Sequence, residues 1–147
     1  MVDRHHRSGR VGLGLVQGFG LKKGALASTV AHDSHNLMIL GVEPADMLAA
    51  ACHLMGLGGG LAVVAEGQVL ADLPLPVAGL LSPAPLEEVA RAHRRLRKAY
   101  QTLGGTLEDP FMTLSFLSLE VIPALKLTDL GLVDVNRFKV VPLFGEE

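Results

Sequence analysis

Leu61-Ala62-Val63-Val64-Ala65-Glu66-Gly67-Gln68-Val69-Leu70-Ala71 decides how the fold is read. An apolar run of strand length meets Glu66-Gly67, a pair suited to a two-residue turn, and a second apolar run returns from it. The stretch predicts a β-hairpin. Beyond it, Pro74 and Pro76 force an extended or irregular path, because proline fixes φ and restricts the residue before it. Upstream, Leu37-Met38-Ile39-Leu40 is a short continuous apolar run that stops at Gly41 and predicts a buried strand. Glu43-Pro44-Ala45-Asp46 then opens a helix. Pro44 suits the first helical position, and Asp46 sits where the helix dipole favours an acid. The body from Met47 to Met55 is Ala-rich and apolar nearly all round, which predicts a well-covered helix with Gly56 as its C-cap.

Farther out, Ala25-Leu26-Ala27 has the composition of a buried strand. Residues 11–20 begin by alternating glycine with apolar residues and predict another strand, its glycines marking close backbone approach. The spacing Gly12, Gly14, Gly18 does not fit a dinucleotide-binding loop, whose third glycine follows three residues after the second. Downstream, Leu86, Val89, His93, Leu96, Tyr100 and Leu103 step by three and four residues and predict an amphipathic helix ended by Gly104-Gly105. Its opposite face carries Arg91, Arg94, Arg95, Arg97 and Lys98. Without interleaved aromatics this reads as a solvated face or an interdomain salt-bridge surface. Phe111 to Leu119 predicts a short helix after Asp109-Pro110, Val121-Ile122-Pro123 an extended segment, and Arg137 to Val141 a strand that follows Gly131–Val135 and stops at Pro142. This order predicts one domain over residues 1–147 of the α/β (or α+β) class. Its expected architecture is a mixed β-sheet covered by two main helices, mixed because the hairpin interrupts strand–helix alternation.

Composition narrows the functional classes. With 49% hydrophobic and 19% charged residues, the 147-residue chain can build a substantial core. A net charge of −2 supplies no field toward nucleic acid or an anionic membrane. One tyrosine and no tryptophan argue against a base-stacking platform. Cys52 is the single cysteine, which excludes an intrachain disulfide and a multi-cysteine zinc site and suits a reducing cytoplasm. No apolar run has membrane-spanning length, and the N-terminal sequence lacks the apolar region of a secretory signal. The expectations are therefore a cytoplasmic domain with neither nucleic-acid nor membrane partners.

One stretch departs from this apolar background. His32-Asp33-Ser34-His35-Asn36 packs two imidazoles, a carboxylate, a hydroxyl and an amide between Ala25-Leu26-Ala27 and Leu37-Met38-Ile39-Leu40. Polar groups beside buried strands are costly unless paired. Continued as a strand, the segment would put His32, Ser34 and Asn36 on one face and Asp33 and His35 on the other. As a turn, which Asp and Asn around Ser favour, it would bring His32 and His35 together. A self-satisfied polar turn is one reading. The others are general acid–base chemistry by a histidine beside Asp33, metal ligation by His32 and His35, and hydrogen bonding to the polar edge of a purine. Metal ligation is the weakest, since the pair supplies only two ligands. His5-His6 lies near a terminus expected to be mobile, and His53 and His93 lie in helical runs that read as structural.

The stretch from Gly18-Phe19-Gly20 through Asn36 resembles the C-terminal region of bacterial adenine deaminases. The resemblance continues at Gly58-Gly59-Gly60, at Leu73-Pro74-Leu75-Pro76-Val77-Ala78-Gly79-Leu80, at Asp109-Pro110-Phe111-Met112-Thr113-Leu114-Ser115-Phe116-Leu117, at Leu127-Thr128-Asp129 and at Gly131-Leu132-Val133-Asp134-Val135. It implies an amidohydrolase-superfamily parent in which a metal-activated water, on manganese or iron, converts adenine to hypoxanthine and ammonia. That metal centre belongs to a preceding barrel marked by a His-x-His pair, which this sequence lacks, so no metal ligand is assigned here. The implied partners are that barrel, on the same or a separate chain, and adenine. His32, Asp33 and His35 are the candidate catalytic groups, and Ser34 and Asn36 the candidate substrate-binding groups, all facing the barrel's mouth. The isolated chain is then expected to be inactive. The alternatives are a stand-alone purine-binding module and a structural module that forms a homodimer.

Overall fold

Ala25–Ser28 (β1) and Gly60–Ala65 (β3) hold no charged side chain, and the computed structural model buries every residue of both. The structure describes residues 1–6 and 8–145. Met38–Gly41 (β2) pairs with β1, and Gln68–Pro74 (β4) with β3, giving the strand order β2-β1-β3-β4 with every pairing antiparallel. Alternation divides the side chains of the central strands between two cores. Ala25, Ala27, Ala62 and Val64 pack with Ala50, Ala51 and Leu54 of the helix Pro44–Leu57 (α1). Leu26, Leu61 and Val63 pack with Leu96 and Tyr100 of Leu86–Thr102 (α2) and with Phe111 and Leu114 of Pro110–Phe116 (α3). Alanines on the α1 side let that helix lie close. At Gly41 an added Cβ would sit 2.5 Å from the Met47 side chain, so only glycine fits.

A second sheet of Leu125–Thr128 (β5), Gly131–Asp134 (β6) and Lys139–Val141 (β7) is also antiparallel, in the order β5-β6-β7. The fold is therefore one α+β domain with three helices and two antiparallel sheets. One feature of the predicted architecture is corrected. No sheet is mixed: α1 connects β2 to β3, which run the same way, but β1 lies between them, so no parallel pair forms. The two longer helices, α1 and α2, lie on opposite faces of the four-stranded sheet, and the short α3 shares the α2 face.

The hairpin forms as its turn residues predict. Glu66 and Gly67 both take positive φ (55° and 72°), the geometry that matches the twist of the flanking strands. Asp46 is buried and accepts hydrogen bonds from both turn amides, Glu66 N at 3.1 Å and Gly67 N at 2.8 Å. Its first-turn position thus ties α1 to the hairpin. The C-cap of α1 is Gly58 (φ 77°) rather than Gly56, which stays helical. Asp109 caps α3 by accepting from Met112 N at 3.1 Å. Pro74 ends β4 on the sheet edge, where its missing donor is tolerated.

Three other expectations shift. Residues 12–20 form no strand; of the predicted run only Val11 makes a bridge, to Val2. The glycines nonetheless mark close approach: an added Cβ at Gly12 would overlap the Thr128 carbonyl oxygen at 1.8 Å. Residues 121–123 are turns and bends rather than extended chain. The strand expected over 137–141 begins at Lys139, because Phe138 takes φ 50° in the turn before it. No helix among the described residues is long and apolar enough to cross a membrane.

Leu96 is fully enclosed, whereas Leu86, on the same helix, is 77% exposed. Leu96→Ala is expected to lower unfolding free energy by about 2–5 kcal/mol through lost burial and a cavity. Leu86→Ala should stay within about 0.5 kcal/mol of the parent in the same urea titrations.

Candidate functional site

β1 ends at Ser28, and the chain must turn out of the buried sheet before it can return as β2. Residues 31–36 make that turn. His35 N donates to Ala31 O at 2.6 Å, and His35 takes φ 48°. Of the two geometries open to the sequence, the turn is observed: the His32 and His35 rings lie 5.8 Å apart, edge to face.

The backbone of this turn is held from three directions. His32 N donates to Ser115 O at 3.1 Å, and Ser118 Oγ donates to His32 O at 2.7 Å, so the end of α3 fixes the main chain there. The His32 ring rests against Phe116, centroids 5.2 Å apart. From the N-terminal segment, Arg4 Nε donates to His35 O at 2.5 Å and Arg4 Nη2 to Ala78 O at 2.8 Å. His5 Nε2 lies 2.8 Å from Ser34 O. The third direction is the β5–β6 turn. Asn36 is buried; its Oδ1 accepts from Arg4 N at 3.2 Å and its Nδ2 donates to Asp129 Oδ1 at 3.3 Å. Arg10 Nε stands 2.7 Å from Asp129 Oδ2 in an ion pair, and among the described residues that buried oxygen has no hydrogen-bond donor.

These anchors sort the five residues. Asn36 spends both amide atoms inside the protein, and Ser34 Oγ lies 3.4 Å from the Asn36 amide. Among the described residues no side-chain hydrogen bond engages the His32 ring or the Asp33 carboxylate, and Asp33 and Ser34 are exposed. His35 Nδ1 accepts from Ala31 N at 3.3 Å, so the neutral ring carries its proton on Nε2 and offers a donor there. Desolvation pushes the His35 pKa below 6.5, and the neighbouring His32 and Arg4 charges push the same way, against the attraction of Asp33. No group of three or more His, Cys, Asp or Glu that could hold a metal ion occurs among the described residues.

The N-terminal segment was expected to be mobile and is instead pinned. Asp3 is buried, accepts from the amides of His5 and His6 at 3.1 and 3.2 Å, and lies 3.6 Å from Arg10 Nη2. Sequence reading set His5 and His6 aside for this reason and did not single out Arg4 or Arg10. His53 Nε2 bridges α1 to β4 through Asp72 Oδ2 at 2.8 Å, and His93 packs near Phe111 in a cavity it lines with Ser28, Val30 and Ser115.

Residues 1–139 match the family described as the adenine deaminase C-terminal domain. The chain belongs to that family. Over 144 residues it is 57% identical to an adenine deaminase of Oleidesulfovibrio alaskensis, an alignment that covers 98% of this chain and 25% of that protein. It is 58% identical over 144 residues to adenine deaminase 2 of Carboxydothermus hydrogenoformans, covering 97% and 25%. With the adenine deaminase of Moorella thermoacetica it shares 56% identity over 143 residues, covering 97% and 24%. The chain thus spans about a quarter of the length of the curated relatives it matches. In this adenine deaminase C-terminal domain the backbone of the turn is held by hydrogen bonds, while among the described residues the His32 ring and the Asp33 carboxylate make no side-chain hydrogen bond.

Two outcomes follow. As pH falls through 6.5 the unfolded chain binds the His35 proton before the folded chain does, so stability declines from 6.5 to the depressed folded-state pKa and levels off below it. An NMR titration should give His35 a midpoint under 6.5, and the His35→Gln variant should lose that component of the melting profile. Asn36→Ala leaves Arg4 N without its acceptor and Asp129 Oδ1 without its donor, which should cost about 1–3 kcal/mol in chemical denaturation.

Proposed function

We propose that this domain completes the active site of an adenine deaminase, which hydrolyses adenine to hypoxanthine and ammonia, and that it is inactive alone. The observation that carries the reading is the anchored turn with a free imidazole and a free carboxylate, in a chain that matches only a quarter of each relative. Adenine offers N7 as an acceptor and the N6 amino group as a donor. The Asp33 carboxylate and Ser34 hydroxyl can accept from the amino group, and His35 Nε2–H can donate to a ring nitrogen. His32, with no bond to restrain its ring, can carry a proton to the departing ammonia. Asn36 supports the turn from within.

The attacking water needs activation, and a metal centre of manganese or iron would supply it. The described residues bring together no donor set for such an ion, so on this reading its ligands come from the partner, an amidohydrolase barrel on the same or a separate chain. A cytoplasmic setting and a place in purine salvage accord with that chemistry.

The test uses a full-length relative carrying changes equivalent to His32→Ala and His35→Ala. Turnover should fall by about 10²–10⁴-fold if either group transfers a proton in the transition state. Unchanged kcat and KM in folded, metal-loaded variants would overturn the proposal. Because His35 Nδ1 also accepts from Ala31 N, His35→Gln serves as the second variant.

A further inference from the structure

More than half of the large apolar side chains that the domain exposes fall in residues 11–16 and 121–144. Leu15 is 79% and Phe138 88% exposed, and Leu13, Val121, Leu130 and Phe144 are each largely bare. They belong to one structural unit. Segment 11–16 lies along β5 and β6, with Gly12 against Thr128 and an added Cβ at Gly14 placed 3.3 Å from Leu132. Strand alternation gives the small sheet two faces. Leu127 and Leu132 pair on the face that meets the main core and segment 11–16. Val133 and Val140 pair on the other, where Val133 is half-buried and Val140 is exposed. The small sheet has one apolar face packed within the domain, and the exposed apolar side chains at its rim and on segment 11–16 are of the kind that marks an interaction surface.

We infer that this sheet and segment 11–16 form the docking surface for the polypeptide that precedes this domain in adenine deaminases. The inference rests on reading the chain as one part of a longer enzyme, and it adds which surface makes the joint. The occupant follows from length and order: the matched family is a C-terminal domain, and roughly three-quarters of each relative lies outside the match. The placement also has a consequence for the site. Asp129, at the turn between β5 and β6, is bonded to Asn36 and contacted by Arg10, so a partner seated on the small sheet has turn 32–36 at the edge of the seam. Residues 32–36 would then meet the partner's substrate site without any movement of their anchors.

Hydroxyl-radical footprinting compares this isolated chain with the full-length Oleidesulfovibrio alaskensis relative. Oxidation at positions equivalent to Leu13, Leu15, Leu130, Phe138 and Phe144 should drop several-fold in the full-length protein, while Leu48 and Leu86 stay reactive. Equal reactivity in both proteins, or protection confined to the α2 face, would overturn the inference. So would a dimer of the isolated chain that already protects these residues to the full-length level, because a second copy would then be the occupant. A Phe138→Asp, Leu15→Asp variant of the full-length protein should regain oxidation at Leu13 and Leu130. Loss of turnover in His32 variants is read separately: inert His32 and His35 substitutions with the seam still protected would sink the catalytic proposal and leave the surface standing.

Discussion

The enclosure of β1 on every side constrains the rest of the molecule. It has β2 on one edge, β3 on the other, α1 over one face, and α2 and α3 over the opposite face. Its alanines and leucine can meet those neighbours, but no charged side chain can be accommodated along its length. Polar chemistry is therefore displaced to its end. There Ser28 folds back to bond the Val30 main chain, and Thr29 takes the Gly60 amide at 2.8 Å while donating to Gly79 O at 2.6 Å. The turn at 31–36 begins where the enclosure stops, and the loop that carries Ala78 and Gly79 is drawn beside it.

Close approach of backbones makes this junction rigid. A Cβ at Gly59 would lie 2.5 Å from the Gly79 Cα, so the two loops touch main chain to main chain. At Gly79 an added Cβ would meet the Arg4 guanidinium at 2.9 Å. Arg4 then spans from this contact to the His35 carbonyl, and burial lowers its pKa without threatening its charge. A permanently charged planar donor is suited to fixing two carbonyls at once. The free imidazole of His32 thus stands on a frame made of backbone atoms, glycine contacts and one arginine.

Sequence made the elements legible where periodicity or turn chemistry is local. The three- and four-residue steps from Leu86 to Leu103 give α2 directly, and Glu66-Gly67 gives the hairpin. The helix that follows β2 shows less, because α1 is apolar all round and glycine occurs at 56 and again at 58 to 60, so the pattern does not say which one leaves the helix. The small sheet was the least visible. Its strands are three or four residues long and half-buried, and Leu125-Lys126-Leu127-Thr128 alternates for only two periods. Antiparallel order throughout is a property of where α1 lands, not of any strand's own residues. At the site, the density of polar groups between apolar strands marked the turn, and the spacing of His32 and His35 anticipated their approach. The anchors were hidden for a different reason: Arg4 is 31 residues from the carbonyl it holds and Asp129 is 93 from Asn36, distances over which no local pattern carries information.

The same network explains why a site-like cluster has no enclosing walls of its own. Asp33 and Ser34 are exposed, and the His32 ring rests against the His35 ring and Phe116, which is itself partly bare. A pocket that selects a purine must desolvate most of its surface, which a single turn with exposed Asp33 and Ser34 cannot do. Yet the turn is fixed from three directions, an arrangement that a merely solvated loop does not require. Rigid support combined with missing walls is what one half of a divided site would have. The half that supplies orientation and proton transfer can be built on a small α+β domain, because it needs only fixed hydrogen-bonding groups. The half that supplies a metal needs several converging ligands, which this chain does not bring together among its described residues. On the proposed reading the two domains would divide this labour, and they would join at the exposed apolar side chains near Asp129.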